Sequence, residues 1–97
     1  MKLAWQISEG NRTKTAYIDL REISVKVTNY IDYYTGAISD RYQYHIYVFG
    51  VLRECEGCPE EYKTLEQACE YVEQQVIAFI KLEMEKWKHR LYIWEEE

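Results

Sequence analysis

Apolar and polar residues alternate from the start of the chain. Leu3, Trp5 and Ile7 share one parity while Lys2, Gln6 and Ser8 break it, which is the signature of a half-buried strand. Glu9-Gly10-Asn11 then predicts a turn. In the next run Ala16, Ile18 and Leu20 lie on one parity and Ile23, Val25 and Val27 on the other. A bulge or bend near Arg21-Glu22 would return both sets to one core, and two strands joined by a tight turn would do the same; the bent strand is the preferred reading. Asn29 to Asp40 reads as a loop around Thr35-Gly36. A strand from Arg41 to Arg53 follows, with Tyr42, Tyr44, Ile46 and Val48 on one face and Gln43, His45, Tyr47, Phe49 and Val51 on the other. Both faces turn apolar toward its end, as in a central strand, and Gly50 suggests a bulge or a close backbone approach.

The clearest local signal comes after residue 63. Thr64-Leu-Glu-Gln67 matches the capping box, with Thr64 as N-cap and Gln67 three residues on. Leu65, Ala68, Cys69, Val72, Val76, Phe79 and Ile80 then recur at helical spacing. The helix is expected to run from 64 to about 88, roughly 36 Å at 1.5 Å per residue. The stripe breaks at Glu83, and Met84, Trp87 and Leu91 shift sideways, so the last turns leave the sheet. Leu91 to Trp94 then form either a short edge strand or a contact with a second subunit. The expected fold is α+β, a single domain over 1–97. It comprises an antiparallel sheet of three to four strands over about 2–53, a cysteine loop over 54–63, and one long C-terminal helix packed on one sheet face.

Composition narrows the class. Ninety-seven residues suit one domain, and four glycines with one proline argue against disorder. No run approaches the roughly 18 apolar residues of a membrane span, and no signal-peptide pattern is present. The expectation is therefore a cytoplasmic protein with no membrane contact. The net charge is −5, yet Glu54 to Glu73 alone holds seven glutamates against Lys63. Such a stripe repels nucleic acid and attracts basic surfaces.

Six of the ten tyrosines lie between Tyr30 and Tyr47. Tyrosine offers rigid contact area with a polar tip, which recognition surfaces favour; it is also a strong strand former that packs in cores. The candidate partner-binding residues are Tyr30, Tyr33, Tyr34, Tyr42 and Tyr44, with Glu54, Glu56, Glu60 and Glu61 supplying charge. Cys55 and Cys58 form a C-x-x-C that is half of a zinc knuckle. Cys69, His45 and His89 would have to complete it; Cys69 lies on the apolar helix stripe, where a small apolar thiol is expected, and neither histidine has matching spacing, so free thiols are the favoured reading. No phosphate loop or G-x-S-x-G occurs, and catalysis and cofactors are not expected.

Trp5, the strand Tyr44-His-Ile-Tyr-Val48 and the helix opening Tyr62-Lys-Thr-Leu-Glu-Gln-Ala-Cys-Glu70 resemble the small orphan proteins of bacteriophages and mobile elements, built from a sheet and one C-terminal helix. The likeness covers roughly Leu3 to Ile80; the Cys55–Cys58 loop and everything after Lys81 depart from it. It implies a non-enzymatic protein, and some proteins of that broad class inhibit host-defence complexes, CRISPR effectors among them. It transfers no binding residue. The expected function is thus a protein-binding module, an inhibitor docking on a nucleic-acid-handling host complex with a basic surface. The alternatives are a homodimer built on the helix end and residues 91–94, and a single-strand nucleic-acid or zinc-knuckle binder.

Overall fold

The computed structural model describes residues 4–10, 13–32 and 34–96. Lys2, Leu3, Asn11, Tyr33 and Glu97 lie outside the described residues. Five strands, β1 (Gln6–Glu9), β2 (Lys14–Asp19), β3 (Ile23–Ile31), β4 (Ile38–Val48) and β5 (Val51–Gly57), precede the helix α1 (Leu65–Glu96). The strands form an antiparallel meander in sequence order, and α1 covers one face of it.

The parity switch between β2 and β3 comes from a tight turn, not the expected bent strand. Ala16 pairs with Val27 and Ile18 with Val25, and directly opposed residues share a face. Leu20 N–H donates to the Ile23 carbonyl at 2.8 Å, and Asp19 Oδ1 accepts from Arg21 N–H at 3.0 Å. Likewise the run from Arg41 to Arg53 is not one strand. It folds back at Phe49-Gly50, where φ is 50° and 78°. These two corrections raise the sheet from three or four strands to five and place Glu54 to Gly57 in β5 instead of a loop.

Ala16, Ile18, Val25, Val27, Tyr42, Tyr44 and Ile46 project from the sheet into one core, against Leu65, Ala68, Cys69, Val72, Val76 and Phe79 of α1. The capping box forms as expected. Thr64 Oγ1 accepts from Gln67 N–H at 3.1 Å, and Gln67 Oε1 accepts from the backbone N–H groups of Lys63 and Thr64 at 3.0 and 3.3 Å. Trp5 Nε1–H reaches Glu73 Oε1 at 2.7 Å, pinning the first segment to the helix.

The helix does not end near Lys88. It continues through Glu96 for 32 residues, about 48 Å, and residues 91–94 are helical instead of an edge strand. Phe79 is its last buried residue. Everything beyond overhangs the end of the sheet.

Candidate functional site

Two ends of the molecule carry the chemistry the sequence singles out. One end gathers the β3–β4 turn, the end of β5 and the start of α1. Tyr34 is fully exposed there, and Tyr30 is exposed beside Arg41, Gln43 and Glu56 at a small cleft. Asp32 Oδ1 accepts from Tyr34 N–H at 2.8 Å and fixes the turn. Glu60 stands 3.6 Å from Arg41, Glu61 is exposed and Glu54 is half-buried.

Tyr42 and Tyr44 are not exposed residues of this surface, although Tyr42 lines the floor of the cleft. Both are core residues, Tyr44 being 1% exposed. Its hydroxyl donates to Glu56 Oε2 at 3.2 Å, and its ring meets Tyr71 edge-on at 6.3 Å. Burial, then the charge of Glu56, pushes the Tyr44 phenol well above its ordinary range. As placed, neither tyrosine can serve as an exposed anchor, because β4 turns that parity toward α1. The opposite parity, with His45 and Tyr47 stacked 6.2 Å apart, faces away from the helix.

The cysteines are dispersed in character. Cys55 is exposed, while Cys58 and Cys69 are buried, and all three are free. Burial lifts the Cys58 thiol to about 11 and the Cys69 thiol to about 12. Among the described residues no group of three or more His, Cys, Asp or Glu is placed to hold a metal ion, and no helix is long and apolar enough to cross a membrane.

The other end holds a feature the sequence reading saw only in part. Ile80, Met84, Trp87 and Leu91 of the overhang face Leu20, Ile23 and Phe49 at the sheet end across an open groove of about 770 Å³. Trp87 is 70% exposed and Phe49 76%. The wall is held by unusual backbone. Among the described residues Arg21 and Phe49 are the two non-glycine residues with positive φ, at 68° and 50°, one in each turn of this wall, and Phe49 N–H donates to the Glu22 carbonyl at 2.8 Å, joining the turns. A two-residue hairpin turn with positive φ at both positions favours Asn-Gly, and a bulky side chain there costs about 1 kcal/mol or more. Strain of this kind gathers at functional sites.

The helical side of the groove is legible in sequence as the spacing 80, 84, 87, 91, 94. The sheet side has no sequence signal, because nothing in Val48-Phe-Gly-Val51 says that a phenylalanine takes a left-handed turn position. Comparison with protein-family models, with curated proteins and with solved structures found no significant match. Geometry alone therefore carries the functional reading.

Proposed function

We propose that this chain is a protein-docking module with no chemistry of its own, and that it docks through the overhang of α1 and the groove beside it. The observation that carries the reading is the exposed apolar strip Ile80, Met84, Trp87, Leu91 and Trp94. It runs for four turns past the last core contact and carries two tryptophans, the residue type most enriched at interface hot spots. A contiguous apolar surface of this size on so small a domain marks an interaction site. Phe49 adds a second support: a strained turn position is given to a large exposed apolar side chain where asparagine would fit at lower cost. An inhibitor of the kind the resemblance implies would use this same surface as its contact.

The test is oxidative footprinting of the full chain in dilute buffer and in an extract of the cells that express it. Phe49, Trp87 and Trp94 are expected to be protected in the extract, with Tyr34 at the far end unchanged. A Phe49→Asn variant should fold at least as stably and lose part of the protection. Equal oxidation of Trp87 and Trp94 in buffer and in extract, with light scattering showing the chain monomeric in that buffer, would refute the proposal.

A further inference from the structure

Resting on that docking reading, we infer that the partner seated in the groove is the overhang of a second copy of this chain, paired in parallel as a two-stranded coil. The first ground is the period. Ile80, Met84, Trp87, Leu91 and Trp94 follow spacings of four, three, four and three, the heptad alternation of a coiled-coil seam. The buried stripe Leu65, Cys69, Val72, Val76 and Phe79 has the same alternation, but at Ile80 the apolar line steps on by one residue, about 100° around the helix. The overhang therefore presents an apolar seam on a different face from the one that covers the sheet.

The second ground is charge. With Met84 and Leu91 at a positions and Ile80, Trp87 and Trp94 at d, the flanking g positions are Glu83 and Arg90. The flanking e positions are Lys88 and Glu95. In a parallel pair each g residue meets the e residue five places on in the other helix. Glu83 then meets Lys88 of the second copy, and Arg90 meets Glu95 of the second copy. Every such contact joins opposite signs, and the two-fold axis repeats each one. An antiparallel pair sets e against e and g against g: one register gains Glu83 on Arg90 but brings Lys88 onto Lys81 of the second copy, and the next brings Lys88 onto Lys88 and Arg90 onto Arg90, so only the parallel pair leaves no like charges opposed. Glu83 is already held by Arg53 at 2.7 Å, so the selection falls chiefly on Arg90 and Glu95. Both are exposed and have no ion-pair partner among the described residues.

The third ground is exposed apolar surface. Phe49, Trp87 and Trp94 are 76%, 70% and 78% exposed, and three such aromatic side chains beside Ile80, Met84, Leu91 and Leu20 provide the large apolar anchors that specific interfaces bury. Two heptads alone are too short to associate firmly. The groove wall of Leu20 and Phe49 supplies the additional contact.

Light scattering on the purified full chain across a concentration series tests the inference. A reversible dimer is expected. Trp87→Ala should weaken it roughly thirtyfold, the size of a buried tryptophan hot spot, with circular dichroism unchanged because Trp87 touches only the groove. Arg90→Glu and Glu95→Arg should each weaken self-association, and an equimolar mixture of the two variants should pair again. Trp94→Cys, in a Cys55→Ser background, should form an intermolecular disulfide, since parallel d positions face each other. A chain that stays monomeric throughout overturns the inference. If Trp87 and Trp94 are nevertheless protected in extract, the docking reading stands with a different protein as occupant. A dimer that fails the mixing and Trp94→Cys tests overturns the parallel pairing. Protection of the overhang by vesicles of mixed neutral and anionic phospholipid, without dimerisation, would assign the face to a lipid surface and overturn both.

Discussion

Arg53 of β5 and Glu83 of α1 are joined by an Nη2–Oε1 contact of 2.7 Å, at the point where the helix leaves the sheet. The same guanidinium lies 5.6 Å from the Phe79 ring centroid. One strand side chain therefore holds both the last core residue of α1 and the first turn of the overhang. Partial exposure screens the ion pair, but the cation–π contact and the pair act on one group.

Replacing Arg53 with Gln removes both contacts and should lower stability by about 1 kcal/mol. The more specific outcome is local: amide exchange should rise from Glu83 to Glu96 and stay unchanged over Leu65 to Phe79. Mass-resolved hydrogen exchange reads this directly. Identical exchange in the overhang would show that it needs no tether.

Tyr44 separates a core tyrosine from a surface one. Tyr44→Phe keeps the ring and loses the hydrogen bond to Glu56, at a cost of about 1 kcal/mol. Tyr44→Ala opens a cavity between β4 and Tyr71 and should cost about 3–5 kcal/mol. Tyr34→Ala, in the exposed turn, should stay within about 0.5 kcal/mol. Urea denaturation of the three variants checks the order, and a silent Tyr44→Ala would contradict the packing.

His45 gives the fold a pH dependence. Its Nδ1 is buried without a hydrogen-bond partner, and burial, then Lys26, holds the imidazole below its ordinary value of 6.5. The folded chain resists a proton that the unfolded chain accepts. The stability contributed by neutral His45 is therefore intact above about pH 6.5, and it is lost as pH falls from there toward the depressed folded value. The urea midpoint should drop between pH 7.5 and 5.5, and His45→Gln should flatten that part of the drop. Parallel profiles for the two proteins would exclude His45 as its source.

Thiol reactivity should divide the cysteines. A disulfide reagent at pH 8 is expected to modify Cys55 quickly, because it is exposed on β5. Cys58 and Cys69, buried and held at about 11 and about 12, should react only as the chain opens. Denaturant should release both together, since they share one core. Fast reaction of all three in the native state would contradict their burial.

Local physics was legible in the chain. The helix begins at Thr64 because its capping hydrogen bonds are made within four residues. The stripe from Leu65 to Phe79 is a periodicity that one helix imposes on its own sequence. That a sheet would pair with this helix also follows from the alternating runs before it. What the tertiary structure decided were choices between equal local patterns. Tyrosine stands on both parities of β4, and only the side on which α1 lies makes Tyr42 and Tyr44 core and leaves Tyr47 outside it. The parity flip at Arg21 suits a bend or a turn, and the pairing of Ala16 with Val27 selected the turn. Phe49 carries no preference for a left-handed backbone. It adopts one because closing β4 on β5, with its N–H on Glu22, outweighs the strain. The overhang is the clearest case: residues 80–94 are as helical in pattern as those before them, and only the length of the sheet determines where the helix has nothing left to cover.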